Sequence, residues 1–166
     1  MPTAALYDFV VPVLIRGLQN MHAFLKKGEQ WAHDNDVPVE KLMKGKLAED
    51  MLVQMCSNLS KFVAVRVAGV ANEAMEDDET TFEQLYARID KTIAFLQKVE
   101  AKDFEGKEEV EVVVKGRSQE WKFTGLSYVQ QWVLPNFFFH ESMAYAILRN
   151  QGVPVGKLDY LMNGSG

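Results

Sequence analysis

Cysteine is nearly absent from this chain. The single Cys56 rules out an internal disulfide and suits a reducing compartment. Long hydrophobic runs are missing as well. The longest apolar stretch, Leu6 to Ile15, is interrupted by Asp8 and is too short to span a bilayer, and no basic region precedes a cleavable apolar segment. An intracellular, cytoplasmic protein with no membrane partner is therefore expected. Basic residues are outnumbered, 18 Lys and Arg against 23 Asp and Glu, so the basic stripe that phosphate contacts demand is lacking and nucleic acid is not an expected partner. No glycine-rich phosphate loop occurs, no low-complexity tract and no internal repeat. Nor does any Cys/His or Ser/His/Asp arrangement stand out.

What remains is an ordinary globular composition, 48% apolar and 25% charged. A chain of this length buries roughly two thirds of the surface its unfolded form exposes. One domain over residues 1–162 with a flexible tail at 163–166 is the expected organisation.

Helical periodicity dominates. Thr3 is a candidate cap for a first helix with apolar positions Leu6, Phe9/Val10, Val13/Leu14, Gly17/Leu18, Met21, Leu25 and Trp31/Ala32. Pro12 should kink it or split off Leu6 to Val11 as a separate turn. After Asn35-Asp36 and Val37-Pro38, a short helix is expected from Val39 to Lys44. A second long helix follows from Glu49 to Val67, with Met51/Leu52, Met55, Leu59, Phe62/Val63 and Arg66 inward and Gly69 as its stop. The acidic run up to Glu79 reads as a solvated loop. Thr80-Thr81-Phe82-Glu83-Gln84 offers a capping box for a third helix that turns Phe82, Leu85, Ile89, Ile93, Leu96 and Val99 inward.

The texture then changes. Glu109 to Val114 and Glu120 to Phe123 are β-branched and aromatic, separated by a hairpin-length loop at Lys115 to Ser118. A lone hairpin is marginal, so Val112, Val114, Trp121 and Phe123 should lie on the helices. The last helix spans Thr124 to Gly152, with Leu126, Val129, Val133, Phe137, His140/Glu141, Ala144, Ile147 and Leu148 on its apolar face. Thr124 or Ser127 caps it, and Gly152 followed by Pro154 stops it. Pro135 should kink it and bring Asn136 and His140, one turn apart, close to a strained carbonyl. Phe137, Phe138 and Phe139 cannot all face inward. Together these elements predict an all-α protein: an antiparallel four-helix bundle with a small β-hairpin between the third and fourth long helices.

The stretches LPNFFFHESMAYAILRNQGVPVGKLDYL, LYDFVVPVLIRGLQNM and TTFEQLYARIDKTIAFL make the chain resemble, over nearly its whole length, an uncharacterised family of the DinB/YfiT-like superfamily. The resemblance implies a four-helix bundle that often dimerises. In many members it also implies a divalent metal held by three histidines, used in thiol-dependent chemistry on small molecules. It further implies two histidines a turn apart on the last helix and a third on the second helix. His140 matches the first of the pair, Ala144 stands where the second would be, and Gln54 or Asn58 stands in place of the third. One imidazole with amides does not reproduce the ligand field of a catalytic zinc, so neither metal nor cofactor is expected.

His140 is the candidate acid/base residue, and Asn136, Trp132, Tyr145, Gln54 and Asn58 join it as candidate ligand-binding residues for a small apolar or aromatic molecule held between helices. The readings that stay open are a histidine hydrogen-bonded within the bundle, a homodimeric module whose ancestral site has decayed, and a metal site using His22, His140 and a carboxylate such as Glu141. His33, among Asp34, Asn35 and Asp36, reads as solvated. Cys56 reads as a small buried hydrophobe, with no Lys, Arg or His within a turn to stabilise a thiolate.

Overall fold

The computed structural model describes residues 6–43 and 51–163. The Thr3 cap, the end of the short helix at Lys44, the start of the second helix at Glu49 and residues 164–166 of the tail lie outside the described residues. The described chain is mostly helical, with one small two-stranded antiparallel hairpin.

Helix α1 runs from Leu6 to Asp34, with Leu6, Val10, Leu14, Leu18, Met21, Leu25 and Ala32 buried at the predicted spacing. Pro12 does not detach the first turn, contrary to one expectation. Pro12 and Asp8 both lie on the exposed face, so the Asp8 carbonyl that proline leaves without a donor is open to water. A short α2, Val39–Met43, follows.

Helix α3 covers Leu52–Val63 and widens into a π-turn, Ala64–Ala68, that ends at Gly69 with φ of 75°. Only glycine adopts that φ without strain, which explains the predicted stop. The buried face of α3 is broader than apolar periodicity predicts. Met55 and Phe62 are only half-buried, whereas Val53, Gln54, Cys56, Ser57, Ser60 and Lys61 are buried. Ser57 is hydrogen-bonded to Thr92 at 2.7 Å, Ser60 to the Cys56 carbonyl at 2.8 Å and Lys61 to the Glu73 carbonyl at 3.0 Å, while Gln54 donates its Nε2 to Glu79 and leaves its Oε1 unpaired. Polar groups satisfied in this way can be buried at little cost, and apolar periodicity does not register them.

Helix α4, Phe82–Leu96, opens on the predicted capping box, with Thr81 accepting from the Gln84 N–H at 3.2 Å and the Gln84 side chain accepting from the Thr81 N–H at 3.1 Å. A single 3-10 turn, Ala101–Phe104, buries Phe104. Strands β1, Glu111–Lys115, and β2, Glu120–Thr124, pair Val112 with Phe123 and Val114 with Trp121. All four side chains are thus on one face, as predicted. Val112 and Val114 are buried, and Trp121 and Phe123 are half-buried against the helices.

The last helical region is three pieces in a row: α5, Gly125–Tyr128; a π-turn, Val129–Val133; and α6, Leu134–Asn150. Thr124 and Ser127 cap it reciprocally, at 2.9 and 3.2 Å. The proline effect appears as this widened turn. The Leu134 N–H reaches back five residues to the Val129 carbonyl, and Pro135 then stands at the start of α6, where its missing N–H is tolerated. After Gly152, with φ of 98°, the chain turns through Val153 and Val155 into α7, Lys157–Met162, a helix the periodicity did not predict.

Helices α1 and α3 each pack against both α4 and α6, and α7 lies along α1. Among the described residues, no helix is long and apolar enough to cross a membrane.

Candidate functional site

The inward stripe of α6 is Phe137, Glu141, Ala144 and Leu148. Three of these are ordinary core residues. The fourth is a carboxylic acid that is 1% exposed, with neither oxygen in a hydrogen bond of full geometry. Burial pushes the Glu141 carboxyl up to about 8, with the Tyr160 hydroxyl opposing the shift, so near neutral pH the group is held mostly protonated.

Its surroundings come from three other elements. Gly17 of α1 faces it without a side chain. A Cβ there would collide with the ring of Phe137 and come within 3.5 Å of Glu141 Oε2, so only glycine leaves room for both groups. Cys56 of α3 is fully buried and directs its thiol at the Phe137 carbonyl, 3.5 Å away. Burial raises its pKa well above the thiol range and the Glu141 charge adds to the rise, while the Glu141 backbone N–H opposes it. The thiol is therefore kept protonated and chemically quiet. Tyr160 of α7 shares a hydrogen bond of 2.9 Å with Ser142.

Outside Glu141 lies a cavity of about 210 Å³, bounded by Val13, Gly17 and Asn20 of α1, Phe138 of α6, and Tyr160 and Leu161 of α7. Helix α7 roofs it and is held from several sides. Arg16 at the rim donates to the Leu161 carbonyl at 3.1 Å, Asn20 accepts from the Asn163 N–H at 3.1 Å, and Lys27 pairs with Asp159 at 3.0 Å. Arg149 and Tyr145 both donate to the Val155 carbonyl, at 2.7 and 3.3 Å, which fixes the approach to α7.

The residues singled out from the sequence are spread around the molecule. His140 is half-buried beside Glu141, its ring edge-on to Phe139 with centroids 5.2 Å apart. Glu141, not His140, occupies the interior position of that turn. Asn136 is half-buried one turn earlier. Trp132 belongs to the hairpin contact, 5.0 Å from the Trp121 ring and 5.8 Å from Phe123. Tyr145 stacks edge-on with Tyr160, 5.6 Å away, and is the one predicted ligand-binding residue drawn toward the cavity roof.

Gln54 and Asn58 serve the acidic segment instead. Gln54 donates to Glu79 at 3.1 Å and Asn58 to Asp77 at 3.1 Å, and the buried Arg88 ties Asn58, Asp77 and Glu79 together at 2.7 to 3.0 Å. The acidic run is accordingly not a free solvated loop. His22 packs on Tyr86, 4.9 Å between ring centroids, and lies 3.8 Å from Asp90. Burial lowers its pKa, with Asp90 opposing. His33 is exposed.

Compared with known proteins, residues 6–161 match the family model described as a domain of unknown function, DUF1993. The chain belongs to the DUF1993 family. No curated protein matches it. Among solved structures, the DUF1993 chain is 31% identical to a DinB family member protein from Shewanella denitrificans, over 94% of this chain and 91% of that one, with a TM-score of 0.85. The DinB-like resemblance is thus confirmed across the whole fold.

The three-histidine metal site implied by that resemblance does not fit the residues present in this DUF1993 chain. Ala144 has no donor atom, Asn58 is committed to Asp77 and Arg88, and Gln54 gives its Nε2 to Glu79 and keeps only a neutral amide oxygen where an imidazole would stand. Among the described residues, no group of three or more His, Cys, Asp or Glu is arranged to hold a metal ion. The set of His22, His140 and Glu141 is not among such groups, and His22 is engaged with Tyr86 and Asp90.

Reasoning from sequence missed Glu141 as the central group, although the signal was present. Glu141 falls four residues after Phe137 and three before Ala144, on the buried stripe, where a carboxylate is costly unless it is paired or protonated.

Proposed function

We propose that this DUF1993 protein is an antiparallel four-helix bundle that binds a small molecule in the cavity between α1, α6 and α7, without a metal, using the Glu141 carboxyl as its polar anchor. One observation carries this reading: a buried carboxyl with no ion pair, its oxygens in no hydrogen bond of full geometry and only the Tyr160 hydroxyl acting on it, borders a cavity large enough for a small organic molecule. Pockets of this kind combine apolar walls with few polar groups. Here Val13, Phe138 and Leu161 are the walls, Glu141 and Tyr160 are the inner polar groups, and Asn20 and Arg16 complete the lining. His140 is a flanking residue in this account. A group held near pH 8 is also suited to moving a proton, so the same site would serve a metal-independent acid/base reaction.

Fragment binding followed by ligand-observed NMR tests the proposal. Fragments of about benzene size should bind the full chain, and Leu161→Trp, which fills the cavity mouth, should abolish that binding. Failure of all such fragments to bind, or binding insensitive to Leu161→Trp, would overturn it.

A second reading is a homodimeric, non-catalytic module. The exposure of Phe9, Phe138, Phe139, Leu158, Leu161 and Met162 supports it, since large apolar residues at a surface favour association. Light scattering at micromolar concentration decides it, because a monomer there excludes the dimer.

A further inference from the structure

A buried carboxyl is normally met by a cation or by several N–H donors. Each element packed against Glu141 was built without one. From α1, Gly17 offers no side chain, and the exposed Arg16, at the cavity rim, gives its Nη2 to the Leu161 carbonyl and Met162 sulfur, both at 3.1 Å. From α3, Cys56 directs its weak donor at the Phe137 carbonyl. From α7, the Tyr160 hydroxyl, bonded to Ser142, also acts on Glu141 as a neutral O–H donor without bringing a charge. On α6 itself, His140 is half-buried beside it. Among the described residues, Glu141 has no ion pair and no hydrogen bond of full geometry, with the Tyr160 hydroxyl the one group that acts on it as a donor; once ionised, its oxygens can accept further bonds. The cavity ends on this carboxyl.

We propose that the cavity is a site for a small organic cation: a primary ammonium group on a compact apolar body. This rests on the reading above that the cavity binds a small molecule, and it names the class. The ammonium N–H groups would bond both Glu141 oxygens, supplying donors and charge together. Phe138 and Tyr160 add aromatic faces that attract a cation, while Val13 and Leu161 receive the apolar body. The volume agrees, since a cavity of about 150 Å³ accommodates benzene. An anion would be repelled by the ionised carboxyl at the inner end, with the exposed, water-screened Arg16 at the rim as the opposing charge. An alcohol brings a single donor and no charge.

The test uses the full chain, titrated with benzylammonium, benzyl alcohol and benzoate and followed by amide NMR and calorimetry. Benzylammonium should shift the Gly17, Glu141 and Tyr160 amides and bind about tenfold or more tightly than benzyl alcohol. In Glu141→Gln that advantage should fall to about twofold or less. The wild-type comparison decides the question even if the variant folds poorly. Benzoate or benzyl alcohol binding at these amides as tightly as benzylammonium overturns the charge assignment while leaving the cavity reading intact, as does an undiminished advantage in Glu141→Gln. If none of the three probes shifts these amides, the inference and the reading beneath it fall together.

Discussion

Glu141→Gln should remove a large part of the pH dependence of stability. The folded chain holds the Glu141 carboxyl at about 8, against 4.5 for a solvated glutamate, so between those values the folded state binds more protons than the unfolded one. Stability from this group is therefore fully present below 4.5 and is lost as pH rises through 8. The loss amounts to about 1.4 kcal/mol per pH unit, or roughly 5 kcal/mol at most over the whole interval. Glutamine keeps the shape without the titration, so groups common to both proteins cancel in the difference between them. Urea unfolding of both proteins at half-unit steps from pH 4.5 to 9 gives the comparison. The wild type should weaken relative to the variant steadily with rising pH. Parallel stability curves would refute the argument, because they would mean that Glu141 is ionised in both folded and unfolded chains.

Three further outcomes follow from the packing. Gly17→Ala should destabilise the fold by about 1–2 kcal/mol in chemical denaturation, because a Cβ meeting the Phe137 ring outweighs the helix propensity it adds. Arg88→Ala should cost about 3 kcal/mol and speed hydrogen exchange across residues 70–80, since Asp77 and Glu79 would lose their shared cation. Asn20→Ala should cost about 1 kcal/mol and raise amide exchange in α7, because the Asn163 N–H loses its acceptor.

Much of the fold was legible in the sequence because its determinants are local. The capping box at Thr81, the glycine stop at Gly69 and the alternation that faces Val112 and Val114 toward Phe123 and Trp121 are each set within a few residues. The phase of α3 was not legible. Its burial of Ser57, Ser60 and Gln54 depends on partners in α4 and the acidic segment, far away in the chain. Pro135 announced a disturbance, but not that a π-turn just before it would absorb the disturbance. The candidate site suffered most, for a similar reason. Histidine draws attention in a mostly helical chain, whereas the roles of Glu141, Gly17 and Tyr160 exist only once α1 and α7 close around α6. Even so, the stripe from Phe137 to Leu148 already contained the carboxylate, and helical spacing put it inside.

The carbon-13 resonance of the Glu141 carboxyl, followed from pH 4 to 10, tests the central claim most directly, because it reports the protonation of the one group on which the cavity depends. The structure predicts a midpoint near 8, moving back toward the ordinary carboxylate range when benzylammonium is bound. A midpoint near 4.5 in the free protein would contradict it, since a carboxyl that ionises as if in water is not the buried group without a counter-ion described.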